Sequence, residues 1–318
     1  MQKLRVGVLR GGPSPEYEVS LKSGENVLAH LPKHYSGVDV LITKDGTWHI
    51  GGIPLLPEHV ARKVDVFLNA LHGAYGEDGK VQGILDSFGV PYTGSRALPS
   101  AISMAKHLGK RYYRGNGLLT PMEKLVRNIG NIEGVAKEIV KNIPGPWVVK
   151  PAGAGSSIGV TLAKNYEELM EGIMQAFLYS DSALVEEYIA GTEATCVVVA
   201  SRGGAYALPP IEIRKGSGGI FNYTIKYDGS AEEVCPGNFT EAESRKIMYT
   251  AVRAHKVLGL SHYSRSDMIV SPRGVYILET NSLPGLTRES LIMKSLKAVG
   301  TSFSEFLDHI IQLAYGGR

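Results

Sequence analysis

Cysteine is scarce: the 318 residues hold only Cys196 and Cys235. Two cysteines without metal-ligand spacing exclude a thiolate metal cluster and a disulfide-stapled scaffold. Long hydrophobic runs are missing as well, and none approaches the roughly 20 residues that cross a bilayer. The N-terminal "MQKLRVGVLRGG" has too short an apolar run for a secretory signal, and no small-residue cleavage site follows, so it reads as a first core strand. Charge of one sign is also lacking. Lys and Arg number 34 against 31 Asp and Glu, a net +3, with no dense basic block or aromatic-basic stripe. That balance argues against nucleic acid as a principal partner. Internal repeats and low-complexity tracts are absent. The chain has the composition of a cytoplasmic globular enzyme, 43% hydrophobic and 20% charged, long enough for two or three domains.

Glycine is plentiful, at 38 residues, and gathers in loops. "LRVGVLRGG" (4–12) is an apolar strand ending in Gly-Gly, followed by a helix over about 18–31. "VDVFLNALHG" (64–73) is a second buried strand ending in His-Gly, and "VQGILDSFGVPYTG" (81–94) reads as helix, turn and extended segment. Strands alternating with helices predict a parallel α/β unit, whose ligands gather at the carboxyl ends of the strands. From about residue 96, "SAISMAKHLGKRYYRGNG" reads as one helix, "GPWVVKP" and "GVTLA" as short strands, 165–178 as a helix, and 182–200 as two strands around "AGTE". The segment 214–239 shows little periodicity, as a functional lid does. Thr240/Glu243 and Ser302/Glu305 form capping boxes before helical apolar faces.

Several stretches carry chemistry. "VVKPAGAGSSIGV" (148–160) is neither a Walker loop, because no lysine follows the glycines, nor a dinucleotide turn, because its glycine spacing is one residue too long. What is left is a hairpin rich in backbone N–H groups, with the hydroxyls of Ser156 and Ser157 and the charge of Lys150 beside it. Such a loop suits an anion such as phosphate. "HYSRSDMIV" and "VYILETN" alternate, are joined by the turn signal "SPRG", and read as a β-hairpin. Its pairing brings Asp267, Glu279 and Asn281 together, an oxygen set that suits Mg²⁺, with Arg265 placed to stabilise developing charge. "HGAYGEDG" puts His72 at a strand end, either on an active-site rim or in a structural place. In "GGPSPEYEVS", Glu16 can meet an ammonium group, while Glu18 can equally be a helix-start acid. "NYTIKY" places Tyr223, Lys226 and Tyr227 on the lid, where a lysine meets phosphate on closure.

With these stretches in order, and with "PYTGS" and "LETNSLPGLT", the chain resembles the D-alanine–D-alanine ligases of the ATP-grasp superfamily from end to end. The resemblance implies a three-domain architecture, α/β with α+β in the ATP-grasp part. The domains are 1–95 (N-terminal parallel α/β, substrate), 96–186 (central, with the glycine-rich loop) and 187–318 (C-terminal, with the metal site and the lid 214–239). It also implies a reaction in which ATP phosphorylates the carboxylate of one D-alanine and the amine of a second displaces phosphate, for peptidoglycan precursor synthesis. By the same resemblance, Lys106, Lys150, Ser156, Ser157 and Lys226 match groups around the ATP phosphates, Glu186, Glu187 and Ile189 the segment at adenine, and Glu193 the acid on ribose. Asp267, Glu279 and Asn281 match ligands of two Mg²⁺, which Mn²⁺ can replace. Arg265 and the Gly285 backbone match the groups that hold the acyl phosphate, Glu16 with His72 the first D-alanine's site, and Ser290 with Leu291 the second carboxylate's site. Glu16, Ser156 and Tyr227 would link the lid to the N-terminal domain. A homodimer is expected. Ala105, Met268 and Gly237 depart from the commoner pattern without removing any of these groups. The nearest alternative is a D-alanine–D-lactate ligase, against which Tyr227 argues; another carboxylate–amine ligase of the superfamily is the next.

Overall fold

The computed structural model describes residues 3–128, 131–153, 159–214 and 232–316. Three β-sheets organise them. Strand β1 (Leu4–Gly11), which buries Val6, Val8 and Leu9 completely, lies between β2 (Tyr35–Ile42) and β5 (Val66–Asn69), parallel to both. Helix α1 (Tyr17–His30) makes the crossover from β1 to β2, the connection that parallel neighbours require. The expected parallel unit is extended by an antiparallel edge, β3 (Trp48–Ile50) and β4 (Ile53–Leu55), giving the order β4-β3-β2-β1-β5. At the carboxyl end of β1 the chain turns at Gly11, where φ is +89° and a Cβ would lie 2.2 Å from the Ile42 carbonyl oxygen. Only glycine fits both constraints. Helices α2 (Pro57–Ala61) and α3 (Lys80–Phe88) cover β5 and lead to the second region.

The stretch read as one helix from residue 100 is two: α4 (Ala97–Met104) and α5 (Lys106–Gly115). Ala105, at ψ 84°, leaves the helical basin between them, so Lys106 opens a new helix. Both pack against the third sheet: Ile102, Tyr113 and Leu118 share a core with Cys196, Met268 and Ile277. The second sheet is antiparallel, with β6 (Glu123–Arg127), β9 (Ser182–Glu187), β7 (Trp147–Pro151) and β8 (Thr161–Ala163) side by side. Helices α6 (Ile132–Asn142) and α7 (Tyr166–Ala176) bury Ile139, Leu169 and Ile173 against Trp147 and Val149 on it.

The third sheet runs β13 (Glu232–Val234), β12 (Ile211–Arg214), β10 (Thr192–Ser201), β14 (Tyr263–Ser271), β15 (Gly274–Asn281), with β11 (Gly204–Ala207) also on β10. The segment read as irregular from 214 to 239 therefore contains an edge strand. Glu232 lies opposite Arg214, whose guanidinium reaches Glu212 at 3.0 Å and Glu232 at 3.4 Å. Helix α8 (Glu241–Val257) begins at the capping box read from the sequence: the Glu243 N–H donates to Thr240 Oγ1 at 3.2 Å and the Thr240 N–H to the Glu243 carboxylate at 2.8 Å. Ser302 and Glu305 do the same before α10 (Phe303–Gly316), which follows the short α9 (Leu291–Ala298). Phe303, Phe306, Leu307 and Ile310 of this last helix share one core with Val6, Val8 and Leu68 of the first sheet. No helix among the described residues is long and apolar enough to cross a membrane.

Candidate functional site

The β14–β15 hairpin pairs Arg265 with Asn281 and Asp267 with Glu279, then shifts register between Asp267 and Met268. The bulge turns the strand ends and keeps the four polar groups on one face. Arg265 Nε and Nη2 grip Asp267 at 3.0 and 2.9 Å, and Thr195 Oγ1 donates to Asp267 at 2.6 Å. Asn281 Nδ2 lies 3.5 Å from Asp267 Oδ2. Lys106, at the start of α5, places its ammonium 2.8 Å from Glu279. Burial works against the charges of Arg265 and Lys106, yet Asp267 and Glu279 beside them raise both pKa values. Among the described residues no three His, Cys, Asp or Glu side chains group as metal ligands; the set here is two carboxylates and an amide.

Lys106, Arg265, Glu279 and Asn281 open onto a cavity of about 870 Å³ that also takes in Glu16, His72, Gly285, Ser290 and Leu291. Glu16 stands at the start of α1, and His72 follows β5, so the first sheet supplies this wall from the carboxyl ends of its parallel strands. His72 Nε2 lies 2.8 Å from Ser23 Oγ, and burial pushes its pKa down against the pull of Glu16, leaving it neutral. Glu77, which no motif singled out, is partly buried in the same wall and accepts the Gly73 N–H at 2.8 Å. Burial, with Glu16 close by, pushes its carboxyl up to about 8. Its place in "HGAYGEDG", five residues after His72, was the available signal.

The far wall comes from the loop after β15. A Cβ on Gly285 would lie 2.9 Å from Ser290 Oγ, so a larger residue there would push the Ser290 hydroxyl aside. Ser290 precedes the first turn of α9, its hydroxyl 2.9 Å from Thr287 Oγ1, and Leu291 begins the helix. Backbone N–H groups at such a start favour a carboxylate. Asn26 Nδ2 donates to the Leu286 carbonyl at 2.8 Å, and the Leu286 N–H to Ser23 Oγ at 3.3 Å, tying this loop to α1.

Lys150 on β7 and Glu186 on β9 meet at 2.8 Å, and Lys110 on α5 reaches the other Glu186 oxygen at 3.0 Å. Burial opposes ionisation of Glu186, but Lys110 and Lys150 outweigh it and hold the carboxyl below its usual range. Beside them Ile189 packs with Ile269 and Tyr276, and Arg273 lies over the Tyr276 ring while binding Glu187 at 2.6 Å. Glu193 sits on β10 between Ile213 and Ile269. Ser156, Ser157, Lys226 and Tyr227, with Tyr223, lie outside the described residues.

Comparison with known proteins bears on this geometry. The family described as "D-ala D-ala ligase C-terminus" matches residues 120–312, and "D-ala D-ala ligase N-terminus" matches 5–55 and 53–95. The D-alanine–D-alanine ligase of Syntrophobacter fumaroxidans is 39% identical over 317 residues, covering 98% of each chain. Among solved structures, the VanG D-Ala:D-Ser ligase from Enterococcus faecalis superposes with a TM-score of 0.88 at 32% identity, over 98% of this chain and 100% of that one. The D-alanine–D-alanine ligase from Bacillus anthracis, solved with ATP, gives 0.80 at 31% identity, over 99% and 98%.

Proposed function

The chain belongs to the D-alanine–D-alanine ligase family, and we propose that it joins two D-alanine molecules through an acyl phosphate formed inside the 870 Å³ cavity. Its activity is the ATP-dependent ligation of D-alanine to D-alanine, a step of peptidoglycan synthesis. The observation that carries the reaction path is the cavity's charge pattern. Glu16 offers an anion to an ammonium at one wall, Lys106 and Arg265 offer cations in the middle, and the α9 start offers N–H groups at the other.

In this reading Glu16 holds the first D-alanine by its ammonium, with neutral His72 beside it. Its carboxylate then points toward Lys106 and Arg265, where anionic ATP and an anionic carboxylate can approach. Arg265 and the Gly285 N–H hold the oxygens on which charge collects. The second D-alanine lies with its carboxylate at Ser290 and Leu291 and its amine toward the acyl carbon. The amine forms the C–N bond and loses a proton, and the acyl C–O bond breaks to release phosphate. Asp267, Glu279 and Asn281 are hard oxygen donors that fit Mg²⁺, and they would hold it beside Arg265 and Lys106, which pair with the two carboxylates. When bound, the metal neutralises charge on the transferred phosphoryl group. Lys150 and the Glu186–Ile189 segment take the nucleotide, with Glu193 at its ribose. Ser156, Ser157 and Lys226 would meet the phosphates, and Tyr227 would link the lid through Ser156 to Glu16. Boundaries near 95 and 186, a homodimer and a cytoplasmic location complete the proposal.

The likeness to a D-Ala:D-Ser ligase favours one second reading, in which D-serine is the acceptor. A phosphate-release assay with ATP, Mg²⁺ and D-alanine, with product analysis after adding D-serine or D-lactate, separates the readings. Phosphate release that depends on D-alanine and a D-alanyl-D-alanine product is expected. A mixed product dominating in equimolar D-serine or D-lactate overturns the acceptor assignment. In the same assay Arg265→Ala is expected to lose at least about a hundredfold in turnover while still binding ATP; turnover at the parent rate removes its role.

A further inference from the structure

Lys110 is fully buried, one of few charged groups so placed among the described residues, and the reaction path above does not use it. Its helix already supplies Lys106 to the reacting centre, one turn earlier. Burying an ammonium is costly unless it is paired and hydrogen-bonded, so its partners define its task. They are two. Nζ lies 3.0 Å from Glu186 Oε1 and donates to Thr120 Oγ1 at 3.1 Å. Thr120 in turn donates to the Ile277 carbonyl at 2.8 Å, which fixes the lysine to β15. Glu186 Oε1 is sealed from solvent and has no well-aligned hydrogen bond, so the nearby Lys110 charge is what offsets it. The second oxygen, Oε2, meets Lys150 at 2.8 Å, and the Lys150 side chain retains 12% exposure against none for Lys110. One lysine is therefore built in behind the carboxylate and the other stands at its open side.

We propose that Lys110 is a positioning residue that holds Glu186 as a bare hydrogen-bond acceptor at the nucleotide's base, so that the site selects a purine with an amino group at position 6 over one with a carbonyl there. The proposal rests on the reading of Glu186–Ile189 as the segment at the base. An anionic carboxylate accepts from a 6-amino group and repels a 6-carbonyl oxygen; a protonated one can donate to that carbonyl. Lys110 fixes which of the two the carboxyl is. When Lys150 turns to the nucleotide, Lys110 remains to balance Glu186, because it is fully buried and tied through Thr120 to β15. The other charged groups around Glu186 are Lys106 on the same helix and Glu123, opposite Glu186 on β6 and itself held by Arg114. Lys106 is already paired with Glu279 and Glu123 is an anion, so neither replaces Lys110.

The test compares ATP with inosine triphosphate, which carries a carbonyl in place of the 6-amino group and, with it, a proton on N1, by kcat/KM of D-alanine-dependent phosphate release from pH 6 to 8. Wild type is expected to prefer ATP by a ratio that stays flat across this range. Lys110→Met, nearly the same shape without charge, is expected to lose about tenfold to a hundredfold of that preference. Most of the loss appears in nucleotide KM, and the preference falls further as pH is lowered and Glu186 takes up a proton. A folded Lys110→Met that keeps the parent preference at every pH overturns the proposal. Should the single variant melt below assay temperature, Lys110→Met with Glu186→Gln removes both charges together. It is expected to accept both nucleotides with a pH-independent ratio, and a retained preference overturns the proposal again. Wild type with no preference for ATP would instead remove the base-site reading itself.

Discussion

At the scale of single residues, the site is a set of buried charges whose ionisation depends on their neighbours. Glu77 shows this most clearly. Burial and Glu16 push its carboxyl up to about 8, from an ordinary 4.5, so the folded chain binds this proton more tightly than the unfolded chain. Stability is then greatest below the unfolded value and is lost as pH rises toward the folded one. Glu77→Gln cannot ionise, and its amide oxygen can still accept the Gly73 N–H. The melting temperature of Glu77→Gln minus that of wild type is therefore expected to grow as pH goes from 5 to 9. A difference constant across that range, measured by scanning fluorimetry, would show that Glu77 does not hold the proton. The same reasoning explains why Arg265 and Lys106 stay charged although nearly enclosed: each has a carboxylate within 3.0 Å.

At the scale of elements, short interruptions place the chemistry. Ala105 splits one apolar helical stretch in two, which lets Lys106 start a helix facing Glu279 and puts Lys110 one turn further along toward Glu186. The bulge in the β14–β15 hairpin sets Asp267 opposite Glu279 where the strands still pair. Helix starts matter as well. Thr240 and Glu243 satisfy each other's backbone N–H groups, and α8 then packs Ile247, Ala251 and Ala254 under the sheet that carries the hairpin. Thr240→Ala is expected to cost about 1 kcal/mol, read as a melting temperature lower by about 1–3 °C. Because Thr240 is exposed and remote from the cavity, kcat should not change; a drop in kcat would mean that α8 moves during turnover.

At the scale of the whole molecule, the last helix closes the first sheet. Phe306, 2% exposed, stacks near Phe303 and meets the Tyr263 ring edge-on at 5.4 Å, within the core that also contains Val6 and Leu68. Two walls of the cavity are thus joined by a shared core, and Asn26 adds a hydrogen bond from α1 to Leu286. Phe306→Ala is expected to cost about 3–5 kcal/mol and to lower the melting point while keeping a single transition. Two separated transitions by calorimetry would mean that the first sheet melts independently of the third.

Much of this was legible in the chain itself. The hairpin at 263–281 follows from alternation around a turn signal, and period two puts Arg265 with Asp267 and Glu279 with Asn281; the bulge that sets the two pairs on one face has no such signal. Both capping boxes were readable, because their partners lie three residues apart. The carboxyl ends of β1 and β5 could be named as a ligand-binding edge because parallel strands impose it. Other features were hidden. Strands of three residues, such as β3, β4 and β13, show no period, and the break at Ala105 has no glycine or proline to mark it. Glu77 and Lys110 looked like ordinary polar residues, because a carboxylate or ammonium is informative only once its burial is known. Local pattern determined the elements and their polar faces, since those depend on neighbours within a few positions. Which charges were enclosed together, Lys110 with Glu186 across 76 positions of sequence among them, only the tertiary structure decided, since desolvation and Coulomb energy depend on distance in space.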